Sequence, residues 1–155
     1  MEEQEKKAIE ENLKIESQFK SGANWFIWVA GLSIINSIIL HAGGQWLFIF
    51  GLGITQFIDG IGLEIAKKAG NTGIALAFVF DLLAAGIFIF FGAFARRGYN
   101  WAFVIGMILY ALDGLIFLLV QDYVGIGFHI FALFFIYSGL KANKIFKSLE
   151  KNKMQ

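Results

Sequence analysis

Four stretches of this chain are almost wholly apolar and about as long as a helix that crosses a bilayer. They cover residues 25–40, 71–95, 101–120 and 124–140. About 20 consecutive apolar residues span the hydrocarbon core of a bilayer as an α-helix. Tryptophan or tyrosine residues stand near the ends of several of these stretches, as is typical of the membrane interface. The pattern therefore predicts an all-α integral membrane protein.

Residues 46–66 form a fifth apolar stretch whose course is ambiguous. Its strongly apolar part ends at Asp59, and the stretch is rich in glycine. Apolar stretches of about 10–14 residues are more often re-entrant or interfacial than spanning. If this one does not cross, 11 of the 13 basic residues lie on one side of the membrane, as cytoplasmic lysines and arginines do. We therefore expect four transmembrane helices plus one re-entrant or interfacial helix, with five transmembrane helices as the alternative.

Both ends of the chain are polar. Residues 1–21 contain four glutamate–lysine pairs spaced four residues apart, which is typical of a solvated helix, and Gly22 is expected to end that helix. Residues 22–141 then form the transmembrane helical domain. Residues 142–155 form a basic amphipathic tail that we expect to lie on an anionic leaflet. The basic residues predict that both termini are cytoplasmic.

The composition supports a lipid-facing protein. Hydrophobic residues make up 57% of the chain, against about 45–50% in soluble proteins. The lipid bilayer is thus the expected partner, and most of the 18 phenylalanines, including Phe78, Phe88 and Phe91, are expected to face it. A net charge of +1 argues against nucleic acid as a partner. The chain has no cysteine, which excludes disulfides and thiolate metal sites.

One segment carries a resemblance. Residues 95–119, ARRGYNWAFVIGMILYALDGLIFLL, resemble a segment of small uncharacterised multi-spanning membrane proteins of bacteria. The resemblance covers about a sixth of the chain and contains no catalytic motif. It implies a location in the bacterial inner membrane and no particular activity.

Polar residues in the apolar stretches are expected to meet in one layer. With a rise of about 1.5 Å per residue, Asp81, Asp113 and His129 lie at similar depths below the same membrane surface. Each shares a helical face with small residues, which favour helix packing. Three further residues are candidates for the same layer: Asn36 from the first span, Asp59 from the ambiguous stretch, and Tyr110 one turn deeper than Asp113.

This layer has several interpretations. It is either a structural polar cluster, a cation or proton site, or a site for a small amphiphile or lipid headgroup. Two Asp carboxylates, a His nitrogen and an Asn carbonyl form a donor set that could hold a divalent cation. An enzyme is the weakest interpretation, because the chain has no catalytic motif. We expect a cation- or proton-linked transport or channel component, and the alternative is a structural or assembly subunit. Four spans are too few to enclose a wide pathway, so transport would require a homo-oligomer, and the sequence names no other protein partner.

Overall fold

The computed structural model of the protein describes residues 2–43 and 51–153, which are almost entirely helical. The helices are α1 (Glu2–His41), α2 (Gly53–Ala69), α3 (Thr72–Arg96), α4 (Asn100–Leu119) and α5 (Tyr123–Lys153). No strand occurs in the two described ranges. Residues 46–50, the first part of the ambiguous stretch, lie outside them.

Four of the helices, α1, α3, α4 and α5, are long and apolar enough to cross a membrane. They contain the four apolar stretches, and the bounds of α3 and α4 agree with the predicted bounds to within one residue. The predicted all-helical class is confirmed. The fifth helix, α2, has 17 residues and starts seven residues after the beginning of its apolar stretch.

The four long helices form one bundle. Helix α1 packs on both α3 and α5, α4 packs mainly on α5, and α2 packs mainly on α3. Large aromatic and aliphatic side chains with no exposed surface fill the centre: Phe26, Val29, Phe103, Tyr110 and Ile136. Their burial gives the bundle one continuous apolar core.

Helices α1 and α3 run antiparallel. The ring of His41, the last residue of α1, lies 6.0 Å from the ring of Phe78 near the start of α3. At the opposite end, a Cβ atom on Gly92 would lie 3.3 Å from the carbonyl oxygen of Ala23. Helix α1 therefore ends where α3 begins, and we call this the His41 end of the bundle. In the chain, α2 lies between these two points, and residues 70–71 join its last residue to the start of α3.

Gly22 does not end the first helix, so that prediction was wrong. Helix α1 continues without a break from Glu2 to His41. Gly22 instead packs against Gly139 of α5, where a Cβ atom on Gly22 would lie only 2.5 Å from the Gly139 Cα atom. The glycine therefore allows α1 and α5 to approach closely and does not change the direction of the backbone. Helix α5 likewise continues through residue 141 into the basic tail.

The prediction that Phe88 and Phe91 face lipid was also wrong. They are 5% and 7% exposed, and their rings lie 6.4 Å and 6.5 Å from the ring of Phe26. Phe88 follows Asp81 by seven residues, which is two helical turns, so the two share the packing face of α3. The exposed apolar side chains of α3 lie on other faces and include Leu76, Val79, Phe80 and Leu83.

Candidate functional site

The carboxylate of Asp113 on α4 holds the start of α2. The backbone N–H of Gly53 donates to Asp113 Oδ2 over 2.7 Å, and that of Ile54 donates to Oδ1 over 2.9 Å. Leu52, the residue at the N-cap of α2, provides no side-chain cap. The first N–H groups of a helix have no partner within the helix, and the helix N-terminus carries a partial positive charge. A carboxylate from another helix therefore satisfies both the hydrogen bonds and the charge.

His129 completes this first cluster. Its Nδ1 atom lies 2.9 Å from the carbonyl oxygen of Gly125, and its Nε2 atom lies 2.9 Å from Asp113 Oδ2. A carbonyl oxygen only accepts, so Nδ1 carries a proton, and one further proton joins Nε2 to Asp113. Tyr110 stacks on the imidazole with ring centroids 4.3 Å apart. Asp113 and His129 thus have partners for both of their polar atoms, as expected of a structural cluster.

A second cluster lies between α1, α2 and α3. The hydroxyl group of Ser37 donates to Asp59 Oδ2 over 2.8 Å. The Nε2 atom of His41 lies 3.0 Å from the other oxygen of Asp59. Asp81 has no exposed surface, and the side chains of Asp59 and Ser37 lie within hydrogen-bonding reach of it. Two carboxyl groups therefore face each other inside the helical bundle.

Asp81 receives no hydrogen bond from the part of the chain that the structure describes. Both of its carboxyl oxygens are buried and have no partner within residues 2–43 and 51–153. Ser37 has a single hydroxyl proton, and that proton goes to Asp59. Two facing carboxylates repel each other unless a proton or a cation lies between them. One proton shared between Asp59 and Asp81 would remove this repulsion.

The structure places five of the six predicted site residues in two groups rather than in one layer. Asp113, His129 and Tyr110 form the first group, and Asp59 and Asp81 belong to the second. Asn36 is buried on α1, where a Cβ atom on Gly51 would lie 3.2 Å from Asn36 Nδ2. Helix α2 connects the two groups, because its first residues bind Asp113 and its seventh residue is Asp59.

Sequence reasoning missed His41 as a member of a site. Its spacing of four residues from Ser37 places both on one face of α1, and this was the available signal. His41 was expected at the membrane interface because it ends an apolar stretch. In the structure its side chain is only 12% exposed, since Asp59 and Phe78 cover it.

The donor set expected for a divalent cation is not assembled. Asp113 and His129 bind each other and α2, and Asp81 lies in the other cluster. Among the described residues no group of three or more His, Asp or Glu side chains is arranged to hold a metal ion.

The described residues therefore form an all-helical bundle in which four helices are long and apolar enough to cross a membrane. Comparison with known protein families, with curated proteins and with solved structures found no match for this chain.

Proposed function

We propose that α1, α3, α4 and α5 cross the membrane and that α2 is re-entrant. The position of α2 in the chain supports this arrangement, because the end of α1 before it and the start of α3 after it both lie at the His41 end. Asp113, which binds the start of α2, lies six residues before the end of α4, or about 9 Å inside the bundle. The basic residues then place both termini in the cytoplasm and the His41 end on the opposite surface. The resemblance of residues 95–119 favours the bacterial inner membrane.

We propose that the Asp59–Asp81 pair binds and releases a proton as part of a membrane transport process. The observation that supports this most is the buried carboxyl group of Asp81, which faces a second carboxyl group and has no hydrogen-bond donor among the described residues. An ionised carboxylate near a helix centre costs about 2.5–3.5 kcal/mol on insertion scales. One shared proton removes this cost and gives Asp81 its missing hydrogen bond. Intramembrane ionisable groups of this kind often mark proton or ion pathways.

A proton fits the pair better than a metal ion. The side chains around the pair supply two carboxyl groups, one hydroxyl group and one imidazole, and the last two already lie against Asp59. A metal ion would need several oxygen ligands at once. A proton needs only the two facing oxygens.

His41 provides the connection to water. Its imidazole lies against Asp59 and keeps a small exposed surface at the end of α1. An imidazole can take a proton on one nitrogen and release one from the other. We propose that protons reach Asp59 and Asp81 through His41, from the non-cytoplasmic surface. Because four helices are too few to enclose a wide pathway, the complete transport unit is proposed to be a homo-oligomer.

Infrared difference spectroscopy of the purified protein during a pH titration tests the proton site. The wild type should show a protonated-carboxyl band that titrates and that disappears in both Asp59→Asn and Asp81→Asn. Asp122→Asn is the matched control. Asp122 caps α5 through bonds of 3.1 Å and 3.0 Å to Val124 and Gly125, and asparagine caps helices equally well.

The titration has two outcomes that oppose the proposal. A band that persists in both pair variants would mean that the pair does not bind the proton. A band shift that depends on Na⁺, when Na⁺ replaces choline at constant pH, would mean that a metal ion competes for the site. Proton flux into vesicles containing the protein, measured with a pH-sensitive dye, then tests transport. Equal proton flux in wild type and Asp81→Asn would overturn the proposed role in transport, even if the infrared titration shows that the pair binds a proton.

The second candidate function is a structural or assembly subunit without a ligand of its own. The Asp113–His129 pair favours it, because both polar atoms of each of these two side chains already have a partner. In that case the Asp59–Asp81 pair should show no titrating band, and its substitutions should change stability alone.

A further inference from the structure

A groove of about 580 Å³ runs along α2 beside the last turns of α4. Its α2 wall carries Phe57, Ile61 and Ile65, which are spaced by one turn and are 56%, 46% and 43% exposed. Its α4 wall carries Ile116 and Val120. A volume in the range of about 300–1,000 Å³ is typical of ligand sites, and these walls are apolar.

The groove has one charged end. Glu64 and Lys68, four residues apart on α2, line it close to the turn that leads into α3. Glu64 also binds the neighbouring Lys67. Lys68 makes no hydrogen bond or ion pair within the part of the chain that the structure describes. Because α3 begins here, this charged end lies at the membrane surface if α3 crosses the bilayer, while the apolar part lies among the lipid chains.

We propose that this groove binds a phospholipid with a zwitterionic headgroup of the ethanolamine type. The acyl chain lies along Phe57, Ile61 and Ile65, the phosphate lies at Lys68, and the ammonium group lies at Glu64. The opposite charges of Glu64 and Lys68 match the two charges of such a headgroup at the spacing of one helical turn. The proposal requires that α3 and α4 cross the membrane and does not depend on the proton site.

Gly60 offers a direct test because it lines the groove on the α2 side. A Cβ atom there would have no atom within 4 Å, so a larger side chain can enter the groove without displacing neighbouring atoms. Gly60→Leu should therefore fill the groove. Gly86→Leu on α3 is the matched control, since a Cβ atom at Gly86 also meets nothing within 4 Å and the position lies outside the groove. Leucine is a better helix former than glycine at both positions.

The measurement is native mass spectrometry of the full-length protein purified in mild detergent from membranes containing phosphatidylethanolamine. Wild type and Gly86→Leu should retain a bound phospholipid, and Gly60→Leu should lose it. Circular dichroism confirms that all three are folded. Equal lipid retention by wild type and Gly60→Leu would overturn the proposal. A change in oligomeric mass of Gly60→Leu with lipid retained would also overturn it, because the groove would then be a contact between copies of the chain.

The headgroup is tested on delipidated protein. Phosphatidylethanolamine, phosphatidylglycerol and phosphatidylcholine are titrated in turn, and binding is read from the rise in Tm. Phosphatidylethanolamine should bind most tightly, and Lys68→Gln should weaken its binding about fivefold, the factor expected for one lysine at a membrane surface. Equal binding of all three lipids, unchanged in Lys68→Gln, would show that the headgroup is not recognised.

Discussion

Asp113 and Gly53 lie 60 residues apart in the chain and are joined by a 2.7 Å hydrogen bond from the Gly53 N–H group to Asp113 Oδ2. The bond fixes the start of α2 against α4. Because the same carboxylate also binds Ile54 and His129, a single side chain connects α2, α4 and α5. Asp59 is carried on α2, so the Asp113 cluster also positions the second cluster.

Replacing Asp113 should loosen α2 before it affects the rest of the bundle. Asp113→Ala leaves the N–H groups of Gly53 and Ile54 without an acceptor, and each unsatisfied buried group costs about 1–3 kcal/mol. Hydrogen exchange should show faster exchange of the α2 amides, with the amides of α5 beyond residue 132 less affected. Unchanged exchange in α2 would mean that the hydrogen bonds from Gly53 and Ile54 to Asp113 do not stabilise this helix. Asp122→Asn is the control and should leave both helices unchanged.

Replacing Asp81 should not weaken the fold. Asp81 accepts no hydrogen bond among the described residues, so Asp81→Asn loses none and can donate from its amide group to Asp59. We expect the free energy of unfolding in detergent to stay equal or to rise, by at most the ~3 kcal/mol cost of a carboxylate within the membrane. In contrast, Ser37→Ala removes the 2.8 Å hydrogen bond to Asp59 and should lower the free energy of unfolding by about 1 kcal/mol. Destabilisation by Asp81→Asn would instead identify Asp81 as a structural residue.

The contact between Gly22 and Gly139 should tolerate no side chain. A Cβ atom on Gly22 would lie 2.5 Å from Gly139 Cα and 2.9 Å from the Phe135 carbonyl oxygen, and backbone atoms cannot turn away. Gly22→Ala should therefore destabilise the protein by about 1–3 kcal/mol, as overpacking does. Gly31→Ala on the same helix is the control, because a Cβ atom at Gly31 meets nothing within 4 Å. It should stabilise α1 by up to about 1 kcal/mol through helix propensity. Equal unfolding free energies of the two variants would contradict the close approach.

The hydroxyl group of Tyr110 should be dispensable, whereas its ring should not. The hydroxyl oxygen is buried without a hydrogen-bond partner in the described chain, and the ring stacks on His129. Tyr110→Phe should therefore be neutral or stabilising by about 1 kcal/mol, because an unsatisfied buried polar group is removed. Tyr110→Ala should cost about 3–5 kcal/mol, as large-to-small core substitutions of aromatic residues do. Chemical unfolding of both variants in detergent compares them, and a marked loss in Tyr110→Phe would reveal a partner for the hydroxyl group.

The proposed topology predicts which sites a membrane-impermeant thiol reagent can reach. The chain has no cysteine, so single cysteines at the exposed positions Asn71 and Ser148 report without a background. In intact cells Asn71→Cys should be labelled, because it precedes α3 at the His41 end, and Ser148→Cys should not. After the cells are permeabilised both should react. Labelling of Ser148→Cys alone in intact cells would contradict the proposed topology, because it requires either the reversed orientation or a fifth crossing by α2. Labelling of both would require an even number of crossings between the two positions.

The sequence by itself determined the helices and most of their packing faces. A bilayer requires every backbone group to be satisfied within its own helix, so the length of an apolar stretch is enough to predict a span. The helical period then places Gly73, Ala77, Asp81 and Ala85 on one face of α3, and all four are buried in the structure. The same reasoning predicted the buried faces of α4 and α5, with Asp113 and His129 on them.

Only the tertiary structure decided which polar groups meet. Rise per residue gives the depth of Asp81 and Asp113 in the membrane but not their direction around the bundle, so it could not separate them into two clusters. The partner of Asp113 is the backbone of Gly53, and a backbone N–H group is present at every residue except proline and therefore leaves no signal in the sequence. The meeting of Gly22 with Gly139, and of His41 with Asp59, likewise depends on how distant helices are placed beside each other. The period of a single helix contains no information about that placement, because it is set by packing between helices.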